Sequence, residues 1–255
     1  MCIGLKLWSI NDNYIEHAKK LFKEGIYDYI ELYAVPNSYS NCIDMWKNIN
    51  VPYIVHAPHF MHGMNPARQE CIGTNIEFAN EAIRFADTLN SKYIIFHPGA
   101  EGKTENTIKF FKKINDKRIL VENKPYHGLP ENVICNGSTV EEIKQIIDDC
   151  GVGFCFDIPH AICSAKSHNQ DCLELIKEFL EMSPKMFHLS DGDVDTFFDE
   201  HSHLGKGNYP LEKIVPYLPQ NMMVTIETEK QSNVSLDDFV EDVNIFKIMI
   251  SDIRK

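Results

Sequence analysis

Eight short segments rich in β-branched and aromatic residues recur along the chain and alternate with segments of helical periodicity. Most are nearly continuous apolar runs, which is typical of parallel strands covered on both faces. Eight strand–helix units in 255 residues predict an α/β fold, a single (β/α)8 TIM barrel with residues 1–255 as one domain. A doubly wound open sheet is the weaker alternative, because the chain has no glycine-rich GxGxxG turn. The predicted strands are residues 3–8, 28–33, 52–57, 92–97, 118–123, 153–157, 186–190 and 223–228.

Three of the helical segments carry start signals. Thr74 with Glu77, and Ser138 with Glu141, have the spacing of a capping box, in which a hydroxyl and a carboxylate satisfy the first free amides. Ser235 precedes the apolar stripe of the last helix. These signals predict helices over residues 74–89, from 138 to about 150, and from 235 towards the end of the chain.

The formal net charge of −12 excludes a uniformly basic nucleic-acid surface. It does not exclude a local positive site, because a bound divalent metal ion is often the largest local charge.

No uncharged apolar run approaches the ~18 residues of a membrane span. The first residues show no secretory pattern, so we expect a cytoplasmic protein. The eight cysteines form no CxxC pair, which favours reduced thiols and disfavours cysteine-ligated zinc.

Polar side chains stand at or near the ends of six consecutive predicted strands. In a TIM barrel the carboxyl ends of the strands meet at one mouth, where function is located. A single histidine in such a place is more often structural than a ligand, and a single carboxylate often caps the next helix. Here the strands end in His56, His97, Glu122, Asp157 (with His160 three residues later), His188 and Glu227.

These side chains make a metal site the best interpretation. Several carboxylates buried together without cations would be prohibitively costly. Imidazole and carboxylate ligands without thiolates suit zinc, with manganese or iron as alternatives. With the loop residues described next there are nine candidate ligands, more than one metal ion needs. A cluster of two or three ions suits phosphoryl chemistry, because it stabilises the attacking and the leaving oxygen.

The stretch TFFDEHSHLGKG, residues 196–207, follows the seventh predicted strand on the mouth side. Taken alone, it would be a solvated loop. Beside six strand-end ligands it becomes a candidate third-metal arm, in which Asp199 and His201 turn inward and Glu200 points away. We interpret His203 as a substrate contact without a metal role. Gly205 and Gly207 permit the turn back towards the last strand.

Seven short motifs, in order from residue 55 to residue 228, resemble the endonuclease IV family within the xylose isomerase-like barrel superfamily. Each motif is weak by itself, but the ordered set of nine ligand positions is specific. The flanking strands extend the resemblance over nearly the whole chain. The motifs are VHAPH (55–59), FHPG (96–99), VEN (121–123), FDIPHA (156–161), HLSD (188–191), DEHSHLGKG (199–207) and IET (226–228).

The resemblance implies a zinc-dependent phosphodiesterase for DNA repair, in which a metal-bridging hydroxide attacks the phosphodiester beside an abasic site. It places one zinc ion on His56 and His97, with Glu122 bridging to a second ion. Asp157, His188 and Glu227 complete the second position, and His160, Asp199 and His201 hold the third. Glu122 and Glu227 are the residues we assign to catalysis, both mainly as metal ligands.

Two loops depart from the family pattern and bear on the substrate. The family's loop after the second strand carries basic residues, including an arginine that enters the DNA duplex, whereas residues 34–44 here contain no Lys or Arg. Phe60 and Met61 stand where the family places an aromatic–leucine pair, and could wedge a base step or line a small-molecule pocket. The candidate substrate contacts are Lys124, Lys206, Phe60 and His203.

Two other function classes stay open. A sugar or sugar-phosphate isomerase or epimerase would use one metal ion and a pair of carboxylates, Glu122 and Glu227, to move protons beside a carbonyl. That chemistry has no need of His56, His97, Asp199 and His201. A metal-binding barrel without catalytic activity is the third reading. The partner is therefore damaged DNA or, in the alternative, a small sugar or sugar phosphate; the sequence indicates no protein partner.

Overall fold

The computed structural model describes residues 1–130 and 133–252. Within them, eight parallel strands form a closed barrel in chain order, with the last strand paired to the first. This confirms the predicted (β/α)8 TIM barrel. The barrel strands are β1 (Cys2–Trp8), β2 (Tyr29–Tyr33), β3 (Tyr53–His56), β4 (Ile94–Phe96), β5 (Ile119–Glu122), β6 (Gly153–Asp157), β7 (Met186–Leu189) and β8 (Met223–Ile226).

The helices follow the strands and surround the barrel. Each strand is followed by one helix, except β6, which is followed by two. The helix after β7 has only four residues. A two-stranded antiparallel hairpin, His127–Gly128 with Val133–Ile134, projects after β5. The α-helices are α1 (Ile15–Lys23), α2 (Tyr39–Lys47), α3 (Ile72–Thr88), α4 (Thr104–Ile114), α5 (Val140–Cys150), α6 (Ile158–His168), α7 (Cys172–Glu181), α8 (Leu211–Ile214) and α9 (Asp237–Asp252). Short 3-10 helices cover Asp12–Tyr14, Phe60–His62, Gln69–Cys71 and Val215–Tyr217.

The period-2 alternation of a strand divides the barrel interior into two layers. The lower layer is an apolar cluster separate from the core between strands and helices. The upper layer is polar. Each of its residues lies two positions after a lower-layer residue, in the same strand or directly after it. The lower-layer residues are Tyr29, Ile54, Ile95, Leu120, Cys155 and Met186, and their upper-layer counterparts are Glu31, His56, His97, Glu122, Asp157 and His188.

Tyr29 fills the base of the barrel because its neighbour on β1 is a glycine. Gly4 is the register partner of Tyr29, and a Cβ atom on Gly4 would lie 2.4 Å from the tyrosine ring. The Tyr29 hydroxyl lies 2.9 Å from Thr225 Oγ1, so the ring is fixed at both ends. The small residue on β1 therefore sets the position of the floor under the polar layer.

Two predicted helix starts are wrong: one helix begins before the predicted cap, and in the other a neighbouring hydroxyl group forms the cap. Helix α3 begins at Ile72 after a 3-10 turn, without a side-chain cap, so Thr74 and Glu77 do not start it. Helix α5 is capped one residue later than predicted: Thr139 Oγ1 accepts from the amide of Glu142, whose carboxylate accepts from the amide of Ser138. For the last helix, Ser235 lies two residues before the first helical residue.

No helix in the part of the chain that the structure describes combines the length and the apolar character needed to cross a membrane.

We expect the substitution Gly4→Ala to lower the free energy of unfolding by about 1–3 kcal/mol, because the added methyl group overpacks the barrel floor against Tyr29. Gly73→Ala is the matched control. Gly73 is exposed on α3 and a Cβ atom there meets no other atom within 4 Å, so this change should raise the free energy by about 0.5 kcal/mol. Urea unfolding measures both. A Gly4→Ala variant as stable as the wild type would contradict the fixed position of Tyr29.

Candidate metal centre

The barrel mouth gathers the nine predicted ligands into one continuous cluster. Six come from strands or the residue directly after a strand, and His160 comes from the first turn of α6. Asp199 and His201 come from the loop after β7. Six of the nine residues are buried, while Asp199, His201 and Glu227 are partly exposed and line the cavity above.

Glu122 stands at the centre of this cluster. Its Oε2 lies 3.1 Å from His56 Nε2 and 3.5 Å from His188 Nδ1. Its Oε1 lies 3.1 Å from His97 Nε2 and 3.3 Å from His160 Nδ1. Ligand atoms around one tetrahedral zinc ion, at bond lengths of about 2.1 Å, lie about 3.4 Å apart. A carboxylate with imidazoles on both oxygens has the geometry of a bridging ligand.

The second group surrounds His188. Its Nδ1 lies 2.9 Å from Glu227 Oε2 and 3.5 Å from Asp157 Oδ2. The other oxygen of Asp157 accepts from the amide of His160 at 2.7 Å and so caps α6. The capping bond leaves Asp157 Oδ2 directed into the cluster. Asp157 therefore starts a helix and offers a metal ligand at the same time.

The third group joins the loop arm to the barrel. Asp199 Oδ2 lies 3.3 Å from His160 Nε2 and 3.3 Å from His201 Nε2. Glu200, between the two loop ligands, is exposed and accepts from the amide of Asp193. The alternation of one inward and one outward residue agrees with the prediction for this stretch.

The carboxylate of Asp191 holds this arm in place. It accepts hydrogen bonds from the backbone amides of Gly192, Gly205, Gly207 and Tyr209, at 2.9–3.2 Å. Gly205 has φ +75°, in the left-handed region, as expected for the turn. Gly207 is required for a different reason: a Cβ atom there would lie 2.3 Å from the carbonyl oxygen of Gly192.

Hydrogen bonds from the far side of the imidazole rings fix which nitrogen faces the cluster. His56 Nδ1 lies 2.8 Å from the carbonyl oxygen of Ala57, and His201 Nδ1 lies 3.0 Å from that of Glu227. A carbonyl oxygen only accepts, so Nδ1 carries the proton in both rings and Nε2 offers a lone pair. His188 is reversed: its Nε2 lies 2.9 Å from Glu31 Oε2, which leaves Nδ1 for the cluster.

Orphaned polar atoms in the cluster support a metal ion as the missing partner. His188 Nδ1, Glu227 Oε2, Asp199 Oδ2 and His97 Nδ1 are buried and have no hydrogen-bond partner of acceptable geometry within the described residues. Buried polar atoms without partners are rare and costly. Three of these four atoms face other candidate ligand atoms at 2.9–3.5 Å, so the donor set fits divalent metal ions held by nitrogen and oxygen.

The charges of the cluster lead to the same conclusion. Burial by itself would raise the pKa of Glu122 and of Glu227, but His188 and His160 beside the first and Lys6 beside the second hold both well below the usual value. Burial likewise opposes ionisation of Asp199, yet His201 and His160 lower its pKa to about 2. These carboxyl groups are therefore anions in a buried site, which calls for cations around them.

A protonated His160 offsets part of the carboxylate charge when no metal is bound, whereas His97 stays neutral. Burial would lower the pKa of His160, but Asp157, Asp199 and Glu122 raise it to about 9. Burial lowers the pKa of His97 well below the usual value, against the pull of Glu122. Metal binding to His160 must displace a proton, so metal affinity at that position rises with pH.

A cavity of about 530 Å³ opens directly above the cluster. Of the predicted substrate contacts, Phe60 and Lys124 line it, and Lys124 Nζ lies 3.0 Å from His160 Nε2. The structure does not bring Lys206 or His203 to the cavity. Lys206 is exposed on the loop, and His203 Nδ1 donates to Asp242 Oδ2 on α9 at 2.8 Å. Sequence proximity to the candidate ligands was misleading there, because the turn at Gly205 leaves Lys206 exposed and the bond to Asp242 holds His203 against α9.

The sequence reasoning missed several residues of the site. Lys6 and Lys230 line the cavity with Trp8 and Tyr33, and Glu31 lies buried beside His188. A signal was present for the first strand pair. Gly4, Lys6 and Trp8 alternate with apolar residues on β1, as Tyr29, Glu31 and Tyr33 do on β2, so each strand carries a charge on its inward face.

Comparison with known proteins places the chain in a family. Residues 25–247 match the family model of the xylose isomerase-like TIM barrel (AP_endonuc_2), and the chain belongs to this family. A relative in Thermoplasma volcanium, named probable endonuclease 4, is 34% identical over 142 residues, and the match spans about half of each chain (50% of this one and 49% of the relative).

Solved structures with two different names share the fold. A D-tagatose 3-epimerase-like protein has a TM-score of 0.74 at 20% identity, with 100% of this chain and 98% of that chain covered. Endonuclease IV from Thermus thermophilus has a TM-score of 0.73 at 17% identity, with 99% and 100% covered. At these identities the likeness concerns the fold alone. Proteins with different named activities share this fold, so the fold alone does not decide the chemistry.

Replacement of Glu122 by Gln should reduce the metal content more than any other single ligand substitution, because the amide cannot bridge two ions. We expect metal affinity to fall by more than ~100-fold, beyond the usual loss for a residue that only supports a ligand. Elemental analysis of protein purified without chelator gives the metal content per chain. Glu229→Gln, at an exposed carboxylate that lines the same cavity, is the control. Equal metal content in both variants would rule out the bridging role.

The double substitution Asp199→Ala, His201→Ala should remove one metal ion per chain and leave the others bound, because only the third position draws ligands from the loop. Glu200→Ala between them is the control and should keep the full metal content. The measurement is again metal per chain, with circular dichroism to verify the fold. An unchanged metal content in the double variant would return this stretch to the role of a surface loop.

Proposed function

We propose that this protein is a metal-dependent phosphodiesterase of the endonuclease IV type, which hydrolyses DNA at abasic sites. The observation that carries the proposal is the convergence of nine imidazole and carboxylate ligands on one buried cluster, in which Glu122 contacts four imidazoles. An isomerase with a single metal ion has no use for the ligands of the first and third positions. Zinc is the metal we expect, at two or three ions per chain, with manganese or iron as alternatives.

Divalent ions in such a cluster acidify water near neutral pH and offset the charge of a phosphodiester and its leaving oxygen. The protein's own contribution is to hold and shield that chemistry. Glu122 and Glu227 carry their charge at neutral pH, as their lowered pKa values require. Glu227 lines the cavity, but its buried Oε2 lies 2.9 Å from His188 Nδ1, so its main role would be that of a ligand of the second position.

Side chains of the cavity wall suit a phosphodiester beside a planar or apolar group. The ammonium groups of Lys6, Lys124 and Lys230 line the cavity and supply local positive charge in an acidic protein. Trp8 and Met61 also line it and are 41% and 58% exposed. Exposed aromatic and thioether side chains around a mouth are suited to stack on a base or a sugar face. With Phe60, they form the surface that we assign to the nucleotide next to the abasic site.

A sugar or sugar-phosphate isomerase or epimerase is the second candidate. The loop over residues 34–44 favours it, because it has no Lys or Arg with which to hold a DNA duplex. A cavity of about 530 Å³ is within the size range of small-molecule sites. In this alternative, Glu122 and Glu227 would exchange protons beside the carbonyl carbon, and one metal ion would be sufficient.

We expect the zinc-loaded protein to nick a duplex with a single abasic site and to lose this activity in EDTA. Glu122→Gln should reduce the rate by at least ~100-fold, since a misplaced metal ligand commonly costs this much. The measurement is strand cleavage on a denaturing gel, with an undamaged duplex as the control. If protein with two or three ions leaves the abasic duplex intact, the DNA substrate is wrong; one ion per chain together with turnover of a sugar would establish the isomerase.

A further inference from the structure

Lys6 lies inside the barrel, beside the proposed metal ligands. It is 8% exposed, and its Nζ lies 2.6 Å from Glu31 Oε1 and 3.1 Å from Glu227 Oε1. Lys6 and Glu31 are register partners on β1 and β2, so the strand pairing itself places the ammonium group. A buried lysine held by two carboxylates keeps its positive charge. The mouth therefore contains a fixed cation even without metal.

Glu31 anchors that cation and connects it to the metal centre. Its Oε1 accepts a hydrogen bond from the ammonium group of Lys6. Its Oε2 accepts from Thr225 Oγ1 at 2.6 Å and lies 2.9 Å from His188 Nε2. Both oxygens are therefore occupied by neighbours on three other strands. Glu31 is not free to move towards a metal ion, although it lies close enough to His188 and Glu227 to belong to a three-ligand group.

Lys6 also gives the two carboxylate oxygens of Glu227 different partners. Oε1 forms the ion pair with Lys6, whereas Oε2 has no hydrogen-bond partner within the described residues and lies 2.9 Å from His188 Nδ1. The carboxylate thus presents one oxygen to the cluster and keeps the other on the ammonium group. Without Lys6, both oxygens of Glu227 and one oxygen of Glu31 would be available to a cation.

We propose that Lys6 is a positioning residue of the metal centre: a built-in cation that restricts Glu227 to one ligand oxygen and weakens metal binding at the His188 position. The ammonium group repels a divalent ion a few ångströms away and takes carboxylate charge that would otherwise bind it. It serves folding as well, because it offsets part of the carboxylate charge before any metal is bound. The inference rests on the proposed metal centre, not on the identity of the substrate.

This role predicts that removing one partner of a buried ion pair will strengthen Zn²⁺ binding, although such a change usually weakens a site. Lys6→Met should bind Zn²⁺ at least ~10-fold more tightly than the wild type, because one positive charge is lost beside a divalent ion. Lys6→Gln, which keeps a hydrogen-bond donor without the charge, should tighten binding in the same direction. Glu31→Gln should bind Zn²⁺ more weakly, because it leaves the ammonium group paired with Glu227 alone. The dissociation constants are measured with Zn²⁺ alone by competition against a chromophoric chelator.

Lys230→Met is the matched control. Lys230 lines the same cavity, but its Nζ donates to the carbonyl oxygen of Thr228 at 2.7 Å, so its loss should leave Zn²⁺ affinity within about twofold of the wild type, as for a charge that is not paired with a ligand. If Lys6 has only a structural role, Zn²⁺ should bind more weakly to all three variants, Lys6→Met, Lys6→Gln and Glu31→Gln. That result, or unchanged affinity in the Lys6 variants, would overturn the proposal.

Two further outcomes are distinct. If Lys6→Met and Lys6→Gln do not fold, the double variant Lys6→Met, Glu31→Gln decides, because it removes the buried ion pair as a unit and leaves the net charge unchanged. Zn²⁺ affinity above that of the wild type supports the proposal, and equal or weaker affinity contradicts it. Wild-type protein that binds no Zn²⁺ would instead refute the metal centre and the proposed function together. Wild-type binding of two or three ions with no tightening in the Lys6 variants would refute this inference alone.

Discussion

The carboxylate of Glu122 lies within 3.5 Å of four imidazole nitrogens in the buried mouth of the barrel. A buried anion is tolerated only if the surrounding groups compensate its charge and orient towards it. Much of the architecture above the barrel floor does this. Histidines come in from four different segments of the chain. The far nitrogens of His56 and His188 are held by the carbonyl oxygen of Ala57 and by Glu31, and Lys124 Nζ lies 3.7 Å from Glu122 Oε1.

The barrel separates this costly layer from the apolar groups that stabilise the fold. Tyr29 and its neighbours form an apolar floor two residues below the candidate ligands, so the positions of these ligands are set by strands whose lower ends are tightly packed. Rigid strands hold a site more accurately than loops do. The loop ligands Asp199 and His201 lack this support, and Asp191 replaces it by binding four backbone amides of the same loop.

Strand-end side chains were predictable because parallel strands that close into a barrel bring their carboxyl ends together whatever lies between them. Lys6 and Glu31 were not predicted, since each is one charge inside an apolar strand, and only the register between β1 and β2 pairs them. Lys206 and His203 were assigned to the substrate from their nearness in sequence to the ligands. The turn at Gly205 and the carboxylate of Asp242 take them elsewhere.

The sequence alone determined the eight strand–helix units, the barrel and the nine candidate ligand positions that converge at its mouth, because periodicity and strand ends are local properties of the chain. Only the tertiary structure decided which oxygen of Glu227 faces the cluster, which imidazole nitrogen is free in His188, and that Lys6 offsets part of the carboxylate charge within the polar layer. These features depend on contacts between residues far apart in the sequence, which meet only after β1 has closed the barrel against β2 and β8.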